Sequence, residues 1–152
     1  MAKKESVVII TDNMGFADVP LVYSYLDEKR ALSAFLGDMS FCKGETEEDG
    51  IKAFHAGRFD DGFQEMRVFK RRIRRPENDV FVVLSLDNGH TTKLELVSSN
   101  RKKCENVFRS LADARGLYVH QGMFDKEQFE GCKTLNRYES KPELALVPVL
   151  SH

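Results

Sequence analysis

The sequence predicts an α+β domain, in which helices pack on an antiparallel sheet built around a hairpin at about residues 80–98. Val80 to Leu86 and Thr91 to Val97 are two β-prone runs. Asn88-Gly89 lies between them and is the pair that best tolerates the positive φ angles of a two-residue hairpin turn. The segment from Asn100 to Gly116 has the apolar spacing, the capping residue and the final glycine of an amphipathic helix.

The strands of this hairpin differ in the faces they present. A reversal at Asn88-Gly89 would put six side chains on one face, which we expect to be the core under the Asn100 helix: Phe81, Val83, Ser85, Thr92, Leu94 and Leu96. The first strand is apolar on both faces, so we expect it inside the sheet. Strands at 6–11 and 144–150 are predicted to complete the same sheet. Pro148 lacks an amide donor, which favours an edge position for the last strand and allows homo-oligomer formation there by strand addition.

Three further helices are predicted from caps and apolar spacing. The first starts at Asp18, with Pro20 in its first turn, and uses Val22, Leu26, Leu32 and Leu36. The second is short, is capped by Thr46 and runs through Ile51 and Phe54. The third starts from a capping box of Asp125 and Gln128 and uses Phe129, Cys132 and Leu135, after a short extended segment at 117–121.

The segment from Phe59 to Arg75 fits two structures. As a helix capped at Asp60, it would align Phe63, Met66 and Ile73 on one stripe and stop at Pro76. As a strand it would follow the turn at residues 61–62 and run into Val80 as part of a meander. Apolar residues then fall on both faces, which is poor strand alternation. We predict the helix.

An all-α repeat is the alternative fold. Gly57, Gly89 and Gly122 are 32 and 33 residues apart, and two of them begin segments that resemble the inter-helix corner of tetratricopeptide or pentatricopeptide repeats: Gly57-Arg-Phe-Asp-Asp-Gly and Gly122-Met-Phe-Asp-Lys-Glu. The resemblance covers about two units and fails at Gly89, whose neighbours are β-prone. It would imply a helical adaptor that binds other proteins.

Composition limits the class of protein. The chain has 152 residues, which fits a single domain at 1–152 that can bury a core without a disulfide or metal scaffold. Its net charge is −1, so only a local concentration of charge can indicate a polyanionic partner. Cys42, Cys104 and Cys132 form no regular frame, which suits a reducing compartment. The apolar run at 7–10 is too short for a signal or membrane segment, so we expect a cytoplasmic protein with no membrane partner.

The strongest local charge is the run from Arg67 to Arg75. The candidate anion-binding residues are its cations and two lysines of the Asn100 helix: Arg67, Lys70, Arg71, Arg72, Arg74, Arg75, Lys102 and Lys103. On the predicted helix, four of them would form a cationic ridge: Arg67, Lys70, Arg71 and Arg74. The planar guanidinium group suits phosphate oxygens, so the ridge indicates an anionic partner, either nucleic acid or an acidic protein surface. A solvated face, partly neutralised by the acidic segment 45–49, is the alternative.

A second function class depends on histidine. His90 and Thr92 form an H-x-T arrangement that resembles half of a two-histidine phosphoesterase site. Such enzymes use two of these motifs, so that one imidazole acts as a base and the other as an acid. The second candidate, His120, is followed by Gln121-Gly122 and lacks the hydroxyl residue. A small phosphoesterase is therefore the enzymatic alternative.

No complete catalytic set, phosphate-binding loop or metal-ligand frame occurs in the sequence. This favours a binding protein over an enzyme. We therefore predict an intracellular interaction or regulatory module with a basic ridge, and we assign no catalytic residue, metal or cofactor.

Overall fold

The computed structural model describes residues 4–13, 19–39, 46–74, 79–87, 91–119, 133–136 and 142–150. Within these ranges the chain forms nine strands and three helices. The strands are β1 Lys4–Asn13, β2 Leu21–Tyr25, β3 Arg58–Asp60, β4 Glu65–Arg74, β5 Asp79–Asp87, β6 Thr91–Ser98, β7 Tyr118–Val119, β8 Lys133–Asn136 and β9 Leu144–Leu150. The helices are α1 Glu28–Met39, α2 Glu47–Ala56 and α3 Arg101–Arg115.

The strands form two antiparallel sheets. Sheet A has the order β2-β1-β4-β3, and sheet B has the order β6-β5-β9-β8-β7. In each sheet the strand that comes first in the chain, β1 or β5, pairs with the next strand on one side and with the last strand of that sheet on the other. The α+β prediction is therefore confirmed, and the all-α repeat is wrong. Gly57 ends α2 in a left-handed conformation before a strand, and it does not join two helices.

The two sheets pack face to face over the largest core. The side chains buried between them come from β1, β4, β5, β6 and β9, and they include Val7, Ile9, Ile73, Val82 and Leu84. Burial on this scale is the main contribution to stability, at about 25 cal/mol for each Å² of apolar surface. The opposite face of each sheet is covered by helices, so four layers follow in the order helix, sheet, sheet, helix.

The helical layers use the amphipathic faces of their helices. Phe35 of α1 and Phe54 of α2 pack edge to face on sheet A, with ring centroids 5.5 Å apart. Cys104, Phe108 and Ala112 of α3 pack on β5 and β9 of sheet B. The predicted caps are confirmed for α2 and α3, because Thr46 forms a capping box with Asp49 and the Asn100 side chain accepts from the Lys103 amide.

The helix predicted for residues 59–75 is wrong, because residues 65–74 form strand β4. Met66 and Val68 face the helices, while Phe69 and Ile73 face sheet B. Apolar residues on both faces are normal for a strand buried between two layers, although they spoil a simple alternation. The predicted meander with Val80 is also wrong, because β4 pairs with β1 and β3 in sheet A.

The helix predicted from Asp18 starts later. Residues 21–25 form β2, and α1 begins at Glu28, where the Asp27 carboxylate accepts from the Lys29 amide at 2.9 Å. Side chains of β2 alternate between its two faces, so Tyr23 and Tyr25 contact the helix layer while Val22 packs between the sheets. The β-branched and aromatic content of β2 therefore outweighs the weak helical spacing.

The pairing of β5 with β6 is antiparallel, and the proposed turn at Asn88-Gly89 lies outside the described residues. Val83 pairs with Leu96 but Leu84 pairs with Leu94, so Glu95 is an extra residue at a β-bulge. Beyond the bulge the predicted face is wrong. Leu94 lies in the core between the sheets, whereas Val83 and Leu96 pack with α3.

The structure also differs from the predictions for the strand at 144–150 and for the helix that starts at Asp125. Strand β9 lies between β5 and β8, so the edge position is wrong. However, β8 pairs only with residues 144–146, which leaves β9 one partner strand at Pro148 in the described part of the sheet. Strand β1 belongs to sheet A and does not complete the sheet of β9. Leu135 lies in strand β8, and residues 120–132 lie outside the described ranges.

Candidate anion-binding cleft

A cleft of about 560 Å³ opens between the two sheets near the end of β4. Its walls are the last residues of β4, the end of β6 and the first turn of α3. Five cationic residues line it: Lys4, Arg71, Arg72, Arg74 and Lys103. We call these residues and the space between them the cationic cleft.

Strand pairing brings these residues together from distant parts of the sequence. Antiparallel pairing of β1 with β4 puts Lys4 opposite Arg74. The Ser99 hydroxyl donates to the Arg74 carbonyl at 3.3 Å and joins the end of β4 to the chain that enters α3. The Asn100 carboxamide then accepts from the Lys103 amide at 3.2 Å, which starts the helix beside the cleft.

The cations of the cleft form no ion pairs with the acids that the structure describes. Glu95 also lines the cleft, but its carboxylate accepts from the Ser85 hydroxyl at 2.7 Å and lies 3.5 Å from Arg115 Nη2. Among the described residues that line the cleft, cations therefore outnumber the single acid, Glu95.

One cation of the cleft is held in place. The Arg71 guanidinium donates from Nη1 to the Lys70 carbonyl at 2.9 Å, and it lies 5.7 Å from the centroid of the Phe69 ring. A guanidinium group fixed by a carbonyl and an aromatic ring loses less conformational entropy when it binds a ligand.

The predicted site residues separate into groups. Arg71, Arg72, Arg74 and Lys103 lie together in the cationic cleft. Lys102 is exposed on α3 but does not line the cleft, and Arg75 lies outside the described residues. The helical ridge is wrong, because a strand sends alternate side chains to opposite faces.

Arg67 and Lys70 are occupied elsewhere. Arg67 Nε is buried and lies 3.6 Å from the Glu65 carboxylate, on the face of β4 that meets sheet B. Lys70 Nζ lies on the helix face, 2.6 Å from Glu28 Oε1 of α1 and 5.8 Å from the centroid of the Phe54 ring. Both charges are therefore compensated within the protein.

Lys4 and the polar residues at the end of β6 also line the cleft and were not predicted from the sequence. Lys4 lies at the start of β1 and enters the cleft because β1 is antiparallel to β4. The signal in the sequence was the pair of lysines just before the first apolar run, but its meaning depends on which strand pairs with β1. Ser98, Ser99 and Asn100 add hydroxyl and amide groups to the cleft wall.

A second polar cluster lies at the opposite end of β1. The Gln64 amide donates to Asp12 Oδ1 at 2.8 Å, and Asp12 and Asp38 interact electrostatically. Burial is the main cause that raises the pKa of Asp12. Burial, followed by the charge of Asp12, raises the pKa of Asp38 to about 6. These two residues are 26 positions apart in the chain, and no motif in the sequence connects them.

The described residues do not test the predicted phosphoesterase site. His90 and His120 lie outside the described residues. Thr92 is 1% exposed and lies between the sheets, where its amide donates to Glu65 Oε1 at 3.0 Å. In the described part of the chain, no group of three or more potential metal ligands occurs.

Comparison with known protein families, characterised proteins and solved structures finds no match for this chain. None of the helices in the described ranges has the length and apolar character needed to cross a membrane. The function is therefore inferred from the cationic cleft itself.

Proposed function

We propose that this protein binds the phosphate backbone of a nucleic acid in the cationic cleft. The observation that carries the proposal is the set of five cations without acidic partners around one concave surface, among the described residues. Three of the five are arginines, whose planar donors match phosphate oxygens. Binding would depend on charge far more than on base sequence, because phosphate contacts carry no sequence information directly.

A binding role fits the chemistry of the cleft walls. The described residues that line it offer ammonium, guanidinium, hydroxyl and amide groups, with apolar contacts from Ile73, Leu96 and Val97. These groups hold an anion in place. The only carboxylate among them, Glu95, already accepts hydrogen bonds from its neighbours. We therefore propose an interaction module, in which the cleft positions a polyanion.

Salt dependence tests the proposal. Each phosphate neutralised by the cleft contributes about −0.9 to the slope of log K against log salt for duplex DNA, and about −0.7 for a single strand. Replacing Arg71, Arg72 and Arg74 by glutamine removes three cations and should make the slope shallower by about 2 to 3. Fluorescence anisotropy with a labelled oligonucleotide, measured from low to moderate salt, gives this slope.

A matched control has the same change in net charge outside the cleft. Arg30, Lys102 and Arg109 are exposed on α1 and α3, and their replacement by glutamine should leave the slope unchanged. Equal losses in both triple variants would show general attraction to a polyanion and would remove the cleft from the proposal. If polyglutamate of equal charge competes as well as the oligonucleotide, the partner is an acidic protein and nucleic acid is overturned.

A further inference from the structure

The floor of the cationic cleft is the end of the core between the two sheets. Ile73 of β4 and Val97 of β6 line the cleft, and both belong to that core, where they are 7% and 6% exposed. Leu96, which packs with α3, adds a third apolar residue to the lining. A ligand in the cleft would therefore meet apolar and cationic residues together.

The two sheets also limit the width of the cleft. Strand β4 belongs to sheet A and β6 to sheet B, and these strands contact each other and both line the cleft. Sheets that pack face to face lie about 10 Å apart. The major groove of B-form DNA alone is about 12 Å wide, so a whole duplex is too wide to enter between the sheets. Its phosphates could reach only the outer edge of the cleft.

The volume of the cleft suits a short piece of a single strand. At about 560 Å³, the cleft lies in the range of roughly 300–1,000 Å³ that is typical of pockets for one small organic molecule. A nucleotide is a molecule of this class. In a single strand it can turn its base towards the apolar floor while its phosphates stay near the cations, whereas the bases of a duplex are paired and stacked on each other.

Charge density alone would give the opposite preference. Duplex DNA carries one negative charge for about every 1.7 Å of its axis, whereas one strand carries one for about every 3.4 Å. General attraction to basic residues therefore favours the duplex. A preference for the single strand requires contacts inside the cleft that a duplex cannot make.

We propose that the cationic cleft takes a segment of single-stranded nucleic acid and restricts duplexes to its edge. This inference rests on the proposed function, because it names the form of nucleic acid that the same cleft binds. The walls exclude the paired form, and the floor of Ile73, Leu96 and Val97 contacts the base of the enclosed nucleotide. Base identity matters little, because every base has an apolar face to offer.

Fluorescence anisotropy with one labelled oligonucleotide, alone and annealed to its complement, tests the inference. The unaltered protein should bind the single strand at least about tenfold more tightly than the duplex at the same salt concentration. Equal or tighter binding of the duplex would overturn the inference, and nucleic-acid binding would still stand if glutamine at Arg71, Arg72 and Arg74 weakened both forms. If those replacements weaken neither form, the proposed function falls together with the inference.

A neutral obstruction of the cleft gives a second test. Ser98 lines the cleft at the end of β6 and is partly buried, so Ser98→Trp adds bulk there without charge. The ratio of single-strand to duplex affinity should fall to about one. Ser110→Trp, at an exposed serine of α3 that does not line the cleft, should keep the ratio of the unaltered protein. Duplex binding is the internal control, because a variant that loosened the fold would weaken both forms. An unchanged ratio in Ser98→Trp would contradict the inference.

Discussion

Glu65 provides a strong test of how the two sheets are joined. Its side chain is 1% exposed and lies at the start of β4, facing sheet B. Oε1 accepts from the Thr92 amide of β6 at 3.0 Å and lies 3.6 Å from Arg67 Nε, while Oε2 lies 3.4 Å from Arg58 Nη2. A single buried carboxylate therefore connects a cation of sheet A with the backbone of sheet B.

Replacing Glu65 by alanine removes the acceptor of one buried donor, the Thr92 amide, and the carboxylate that lies at ion-pair distance from the buried Arg67 Nε. An unsatisfied amide such as that of Thr92 costs about 1–3 kcal/mol, and removing one partner of a buried ion pair costs about 3–5 kcal/mol. The effects overlap, because Arg67 is 27% exposed and can reach water in part. We therefore expect Glu65→Ala to reduce the free energy of unfolding by about 3 kcal/mol. Glu65→Gln keeps an acceptor for the Thr92 amide and should cost less.

Urea unfolding measures the effect as a lower midpoint with an unchanged slope. Glu28→Ala is the control, because Glu28 Oε1 lies only 2.6 Å from Lys70 Nζ but both side chains are more than half exposed, at 55% and 53%. If burial decides how much an ion pair contributes to the free energy of unfolding, the buried Glu65 contributes more than the exposed Glu28, although its contacts are longer. A loss for Glu28→Ala equal to that for Glu65→Ala would refute the reasoning. So would a loss below about 1 kcal/mol for Glu65→Ala.

Two further predictions follow from the backbone and from burial. Gly57 and Gly116 both have left-handed φ angles, 83° and 62°, but only at Gly57 would a Cβ meet a neighbouring atom, the Val68 carbonyl oxygen at 3.3 Å. Gly57→Ala should therefore lower the melting temperature more than Gly116→Ala, and equal shifts would contradict this. Burial raises the pKa of Cys104 to about 11, so its thiolate is scarce at pH 8. Mass spectrometry should show slow alkylation of Cys104 in the folded protein and fast alkylation in urea.

Local signals in the sequence predict the elements that local energies decide. Asn100 and Gly116 mark the two ends of α3, and Thr46 marks the start of α2, because caps satisfy backbone groups within a few residues. Strand β1 follows from its run of β-branched residues. In each case the interactions that set the boundary lie inside the element, so they can be recognised without knowledge of the fold.

Strand β4 could not be predicted in this way, because what covers its two faces is decided by distant residues. Met66 needs the helices above it, and Ile73 needs sheet B below it. Without both layers, the same apolar residues fit a helical stripe better than a strand. The bulge at Glu95 could not be predicted either. One extra residue there exchanges the faces of Thr92 and Leu94, and no sequence pattern indicates it.

The sequence alone also could not show which cations of the basic run are available in the cleft. The basic run could be found from the sequence, but which of its charges remain available depends on long-range contacts. Lys70 is paired with Glu28, which is 42 residues away in the chain. Arg72 and Arg74 have no carboxylate at ion-pair distance in the described part of the chain. Lys4 joins them only through the register of β1 with β4.

The cationic cleft and the two acids Asp12 and Asp38 should act independently, because the cleft lies at the start of β1 and Asp12 lies near its end. Lys4 and Asp12 are separated by roughly 27 Å, at about 3.4 Å per residue of extended strand. The Debye length is about 8 Å at physiological ionic strength, so ionisation of the pair is screened from the cleft. Asp38→Asn should therefore leave the salt slope of oligonucleotide binding unchanged. Replacing Arg71, Arg72 and Arg74 should leave the pKa of Asp38 unchanged. An effect of either change on the other property would require a mechanical connection through β1, since direct electrostatics cannot span that distance.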